Sequence, residues 1–424
     1  MEKIKAILIG AGIRGKTYVD FGKREHDDRF SLVAVAEPDA GRREAVRREH
    51  GLAEADCFTD WRALLTGEKR ADVAIIATQD RQHFEPAMKA LEMGYHLLLE
   101  KPMSVTPEEC VKIAALAEQK GLQVLVCHVL RFTPFFRRLK QLIDDGAVGE
   151  VVNIVHVEAV GDRHYSHSYA RGNWNRLEKS SPMILAKSCH DLDILQWLVG
   201  KKCTRVQSFG SLRHFTRDNC PEGAPHRCIE GCPHAATCPY DAVRIYLKDK
   251  TYVRHATGNF DPSDEDILRA LRESDYGVCV YQSDNDVVDH QTVNLEFEDG
   301  VLASFTMSAF NEGGRFIRVM GTRGELTAYM NGETVRHFDF LSRTVREVPI
   351  LNAELDETIF GGHGGGDRGI VSALVEILRG EYRGNAHSDI RTCAENHLIA
   401  FAAEESRVTG RVVDMMEYLA SFDA

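Results

Sequence analysis

With 424 residues, 43% hydrophobic and 27% charged, the chain can form two or three globular domains and has no apolar run long enough to span a bilayer. Its net charge of −12 argues against nucleic acid as the main partner, because phosphate binding wants clustered Lys and Arg. Eleven cysteines, an odd number, and an opening MEKIKAILIGAG that runs straight into a strand pattern make the reducing cytoplasm the expected compartment.

Along the first part, the short apolar runs KAILIG, LVAVAE (32–37), DVAIIAT (72–78), HLLLEK (96–101) and QVLVCH (123–128) alternate with amphipathic stretches. Asp39 is placed to cap a helix carrying Arg42 to His50. Thr106-Pro107-Glu108-Glu109 supplies a cap, a first-turn proline and acids at the positive end of a helix dipole. Apolar strands separated by helices predict a doubly wound parallel sheet over residues 1–128. Beyond about Gly149 the strands lengthen and several alternate: VVNIVHVEAV, TRVQSFGSL, HQTVNLEF and VLASFTM, with hairpin turns at Asp299-Gly300 and Asn331-Gly332. Two helices are expected near the end, at about 368–379 and 389–409. Residues 129–424 are therefore expected to form an α+β domain on a large, open, mostly antiparallel sheet. About 213–274 fits neither pattern and reads as an insertion.

GAGIRG at 10–15 is a G-x-G-x-x-G directly after the first strand and before a helix. Gly10 allows the tight turn, Gly12 lets a pyrophosphate approach the backbone, and Gly15 lets helix and strand pack closely. Glu37 ends the second strand, 22 residues beyond Gly15, where an acid can accept hydrogen bonds from the adenosine ribose. That acid repels a 2′-phosphate, so NAD is favoured over NADP, with Arg42 as the residue that could offset the bias.

Glu100-Lys101-Pro102 stands at the C-terminal end of a strand, where open α/β sheets hold their ligands. A lysine there can position the nicotinamide and hydrogen-bond a reacting hydroxyl, and desolvation can lower its pKa. In SPMILAKSCHDLDILQWLVG (181–200), a helix begins near His190, with Asp191 and Asp193 in its first turn. A histidine so placed suits a base that takes the proton of an alcohol while hydride leaves the same carbon.

Together GAGIRG, Glu37, IIAT followed by His83, EKP at 100–102, Arg131-Phe132 with Pro134, and HDLD at 190–193 resemble the Gfo/Idh/MocA family of NAD(P)-dependent sugar and polyol oxidoreductases. The resemblance covers most of the chain. It implies a Rossmann domain, then a C-terminal domain whose open sheet commonly serves oligomerisation, so a homodimer or homotetramer is expected. It also implies a sugar or cyclitol pocket between the domains, with Lys101 and His190 as the catalytic pair. Cofactor contacts would come from Gly10, Gly12, Ile13, Arg14, Gly15, Glu37, Arg42, Thr78, His83, Glu100 and Lys101. One departure stands out: simple inositol dehydrogenases of the family usually carry an aspartate four residues before the histidine. Here that residue is Ala186, followed by Lys187. The proton path then falls to Lys187, Asp191 or substrate hydroxyls. The branch that uses NAD transiently, oxidising a sugar, eliminating its substituent and returning the hydride, stays open.

Further substrate contacts are expected from Arg131 and from RGNWNR (171–176), where Trp174 can stack on a sugar face and Arg171, Asn173 and Arg176 can meet hydroxyls. Asp289 and His290 begin a strand that could face the same cleft. GGHGGGD (361–367), with His363 and Asp367, reads as a closing loop, an anion cradle or a plain connector. Finally, Cys220, Cys228, Cys232 and Cys238 have the spacing C-x7-C-x3-C-x5-C on a short, turn-rich loop. Four thiolates there describe a structural zinc site, with His226 or His234 as possible substitutes; a four-iron cluster, though without the usual C-x2-C-x2-C run, and a metal-free loop are the alternatives. Such a loop is expected to bury little core and to need the metal as a staple.

Overall fold

The structure, a computed structural model, describes residues 2–350 and 364–422. Six parallel strands form the first sheet: β1 (Ile4–Ile9), β2 (Phe30–Ala36), β3 (Cys57–Phe58), β4 (Val73–Ile76), β5 (His96–Leu99) and β6 (Val124–Val126). Their spatial order, β3-β2-β1-β4-β5-β6, reverses direction between β1 and β4, which opens a crevice beyond their C-terminal ends. The apolar runs lack alternation because both faces are covered. In β1, Ala6 and Leu8 face one core while Ile7 and Ile9 face the other. Asp39 accepts from the Arg42 amide and Thr106 from the Glu109 amide, so both expected helix starts are capped.

The second sheet has nine strands: β7 (Val151–Ala159), β8 (Cys203–Ser211), β9 (His290–Phe297), β10 (Leu302–Ser308), β11 (Gly314–Gly321), β12 (Gly324–Tyr329), β13 (Thr334–Asp339), β14 (Val345–Pro349) and β15 (Val413–Asp414). They run in the order β14-β13-β12-β11-β7-β10-β9-β8-β15, all antiparallel except the β7–β10 pair. Asp299 and Gly300, both at positive φ, turn β9 into β10. The inner face carries Phe305, His156 and Ile317 in register and shares a core with one face of the first sheet. On the outer face, a row of paired residues runs Phe209, Thr292, Thr306, Val157, Phe316 and Tyr329 across six strands. Phe209 and Tyr329 are 60% and 63% exposed, so this face is left uncovered by the chain itself.

The helix Ile390–Thr409 lies where the two sheets meet. Its Ile390, Cys393 and Ala394 belong to one core, and its Leu398, Ile399 and Ala403 to the other. The insertion as a whole buries a small core, from Ala242, Ile245, Tyr246, Ala256, Ile267 and Leu271, to which the cysteine loop adds only Cys228 and Ile229 at the edge. The apolar residues responsible lie after the cysteine run, on the helical stretches 243–248 and 264–273. No helix among the described residues is long and apolar enough to cross a membrane.

Candidate active site

The turn after β1 behaves as its glycines require. Gly10 has φ +89°, and a Cβ there would stand 2.6 Å from the Ala77 carbonyl oxygen. A Cβ on Gly15 would meet the Gly10 carbonyl at 2.0 Å, so helix and strand touch only because it is absent. A Cβ on Gly12 meets no atom within 4 Å: the space it would enter is the crevice itself. Ile13 begins the helix that follows, so free amides point into this space. Glu37, 5% exposed, accepts hydrogen bonds from the amides of Ala11 (2.7 Å) and Asp39 (3.0 Å) and lines the crevice with Arg42 and Thr78. Arg42 also reaches the Gly258 carbonyl of the insertion at 3.4 Å.

Thr78 is shared with a second, more enclosed cavity between the two sheets. Lys101, Trp174, Lys187 and His190 line it, as do Arg14 and Glu100. Lys101 Nζ donates to the carbonyl oxygen of Ala186 at 2.7 Å, at the residue where the expected aspartate is missing. Lys187 Nζ pairs with Glu158 at 3.2 Å. Burial lowers the Lys187 pKa, and the Glu158 charge only partly counters this. Glu158 in turn pairs with Arg315 (2.6 Å), whose Nε holds Asp191 at 2.8 Å, and Asp191 also accepts from His156 Nε2 at 2.8 Å. Against a strong burial penalty, Arg315 and His156 hold the Asp191 carboxyl well below the usual aspartate range. Asp191 is thus fixed beneath the cavity rather than on its wall.

Arg14 ties the phosphate turn to both sides, pairing with Glu100 (2.8 Å) and with the fully buried Asp367 (2.9 Å) on the helix Gly366–Leu378. Burial acts against the Glu100 carboxylate, yet Arg14 and Lys101 keep it below the ordinary glutamate range. Asp367 therefore serves as an ion-pair partner, while His363 lies outside the described residues. Trp174 donates from Nε1 to Asp80 at 3.1 Å, which fixes its ring on the cavity wall.

Several expected residues lie elsewhere. His83 Nδ1 donates to the Pro102 carbonyl at 2.7 Å and thereby supports the turn that carries Lys101. Arg131 makes a bidentate pair with Asp193 (2.6 and 2.7 Å), a buried structural contact beside the cavity. Arg171 points into the insertion, Asn173 is exposed, and Arg176 pairs with Asp284 at 2.5 Å. His290 bonds its neighbour Asp289, whose buried carboxylate accepts the amides of Arg213 and His214 and so anchors the start of the insertion. Among the cysteines of the loop, no three sulfurs lie within 4.8 Å of one another. The group that does come that close among the described residues is His128, Cys189 and His397. There His397 accepts the Met103 amide on Nε2 and donates from Nδ1 to the Cys393 carbonyl oxygen, so neither nitrogen has a lone pair to offer.

The sequence reading missed one wall: His164, His167, Ser168 and Tyr169 before Trp174, and Tyr252 and His255 from the insertion. His167 stacks on Tyr252 at 4.5 Å. Burial, with Arg14 and Arg254 adding to it, lowers His255 to about 4, so that ring is neutral at physiological pH. The signal was the HxxHSY string at 164–169, whose irregular, π-type turn has no pattern of period 3.6 or 2.

A glycine turn at a helix start, an acid after β2 and a crevice at the sheet's reversal point define a dinucleotide-binding oxidoreductase fold, joined to a second domain that supplies most of the cavity. Residues 4–128 match the model of the oxidoreductase family with an NAD-binding Rossmann fold, and residues 140–414 match its C-terminal alpha/beta domain. The chain belongs to this family, Gfo/Idh/MocA. It is 26% identical over 308 residues to the putative oxidoreductase YteT of Bacillus subtilis, covering 70% of each chain. It is 27% identical over 208 residues to the 2,7-anhydro-N-acetylneuraminate hydratase of Mediterraneibacter gnavus, covering 47% of this chain and 50% of that one. The crystal structure of the WlbA dehydrogenase from Chromobacterium violaceum, in complex with NADH and UDP-GlcNAcA, shares the fold with a TM-score of 0.65. It is 18% identical, over 98% of this chain and 96% of that one.

Proposed function

We propose that the protein is an NAD-dependent oxidoreductase that moves hydride between nicotinamide and a hydroxyl-bearing carbon of a sugar, sugar derivative or cyclitol. One observation carries this reading. Lys101 and His190 enter one cavity from different domains, and that cavity shares Thr78 with the dinucleotide crevice. The residues fit the cofactor: Gly12 leaves open space over the turn, and Glu37 stands where a ribose would present its hydroxyls. Bound NAD supplies the hydride acceptor. Lys101 Nζ, held by the Ala186 carbonyl, donates to the reacting oxygen and orients it. His190 takes the hydroxyl proton as the carbon–hydrogen bond breaks, which leaves a carbonyl product and a protonated imidazole. Lys187, with its lowered pKa, stands beside this pair in place of the missing aspartate and supports proton exchange. The exposed outer face of the nine-stranded sheet is read as the surface on which a second copy pairs.

A second reading, an enzyme that oxidises its sugar, eliminates a substituent and returns the hydride, is favoured by the hydratase relative and by Ala186. Absorbance at 340 nm with NAD and a panel of sugars, cyclitols and aryl glycosides tests both, with aglycone release followed in the same wells. A sustained rise supports net dehydrogenation. Aglycone release without it supports the recycling reaction, and silence in both channels with NAD bound removes the sugar assignment.

A further inference from the structure

Arg171 poses a charge problem. It is 1% exposed, yet among the described residues it forms no ion pair with a carboxylate. Its Nε donates to the Val278 carbonyl (2.7 Å) and its Nη2 to the Tyr240 carbonyl (2.7 Å), while Nη1 is buried without a hydrogen-bond partner. A guanidinium stays protonated in proteins, so a buried one without an anion is costly. Arg171 Nη2 also reaches the Cys228 sulfur at 3.7 Å, and the guanidinium lies beside the neutral Tyr246 hydroxyl.

Two more cysteines flank the groups that hold this cation. Cys279 directly follows Val278, and Cys238 stands two residues before Tyr240, the two residues whose carbonyls accept from Arg171. Backbone pairing brings Cys279 in: its amide donates to the His226 carbonyl at 2.8 Å, and Arg227 bridges Val278. Gln282 fastens the other arm of the loop, donating to the Cys220 sulfur (3.3 Å) and to the Ala224 carbonyl (3.2 Å).

We propose that Cys228, Cys238 and Cys279 bind a metal centre as thiolates, with a fourth thiolate from Cys220 or Cys232, and that Arg171 is its buried counter-cation. Cys279 lies far outside the loop in sequence, which is why spacing alone did not find it. Binding releases the thiol protons and gives Arg171 the negative charge it lacks. The centre also has a structural reach. Arg171 ends the turn Ser166–Arg171, so the metal fixes the turn that carries His167, Ser168 and Tyr169 to the cavity wall. The shared chemistry is a four-thiolate shell. A single zinc must draw the sulfurs closer than they stand, whereas an iron–sulfur cluster holds them wider.

The test is metal analysis of the full-length protein purified without oxygen, together with its visible spectrum. About one zinc per chain without colour, or about four irons with broad visible absorption, are the two outcomes that support the proposal and name the metal. Cys279→Ser should cut the content at least about tenfold, while Cys203→Ser, on β8, retains it. Should Cys279→Ser fail to fold, the unaltered protein still decides. Its loop thiols and Cys279 resist alkylation until a chelator is added, then react. Metal well below stoichiometric with freely alkylated thiols, disulfides among these cysteines, or full metal in Cys279→Ser would each overturn it. Metal content is read without turnover, so it stands or falls independently of the dehydrogenase assignment.

Discussion

The two walls of the site are made of different material. The turn that floors the dinucleotide crevice is mostly backbone: three glycines and a helix start, followed by the acid after β2, all within the first 37 residues. The enclosed cavity is side chains from seven separate segments, backed by a network that runs Lys187, Glu158, Arg315, Asp191 and His156. A backbone wall is damaged by adding atoms and a side-chain wall by removing them. That difference can be tested directly.

The largest effect is expected on the side-chain wall. Lys101→Ala and His190→Ala should each lower kcat by about 10²- to 10⁴-fold, while NAD titrations followed by fluorescence change little. Loss of NAD binding in either would erase the distinction between the walls. Next comes the support beneath. Arg131→Met leaves Asp193 buried without its bidentate partner and should cost about 3 to 5 kcal/mol in denaturant unfolding. The Asp193 carboxyl is held below the ordinary aspartate range, burial opposing and Arg131 and His128 prevailing. Its contribution is therefore full above about pH 4 and is lost as pH falls toward the depressed folded value. Melting curves against pH should show this acid-side loss in the parent protein and a flatter one in Arg131→Met.

On the backbone wall, Gly12→Val should weaken NAD binding by about tenfold or more, with the melting temperature nearly unchanged, since its side chain enters only the crevice. A large fall in melting temperature would show that the turn, rather than the ligand, needs this glycine. On the proposed function, Trp174→Ala should raise KM about tenfold with a smaller change in kcat, because its ring on the cavity wall would meet substrate and transition state alike. The smallest effect belongs to His290→Ala, away from the cavity, at about 0.5 kcal/mol or less in stability and no change in KM.

The same contrast explains what could be read from the chain beforehand. Elements that obey a period were legible: the parallel strands, the capped helices at Asp39 and Thr106, and the Asp299-Gly300 hairpin. That Lys101 and His190 line one cavity was legible because each stands at the end of a recognisable element. The missed wall has no period. His167 and Ser168 lie on a π-type turn, and Tyr252 and His255 reach the cavity only because the insertion builds its own small core. Arg171 was misplaced for a related reason: residue type suggests a hydroxyl contact, whereas tertiary packing turns it toward the cysteines. Strand β3, two residues long, left no signal.

The helix Ile390–Thr409 has a consequence for how the molecule is made. Ile390, Cys393 and Ala394 complete the core on one face of the first sheet, against Leu97, Cys110 and Ile113. Those partners leave the ribosome nearly three hundred residues before the helix that covers them. During synthesis the first sheet therefore waits with an apolar face open, and both cores close together only when the C-terminal helix emerges.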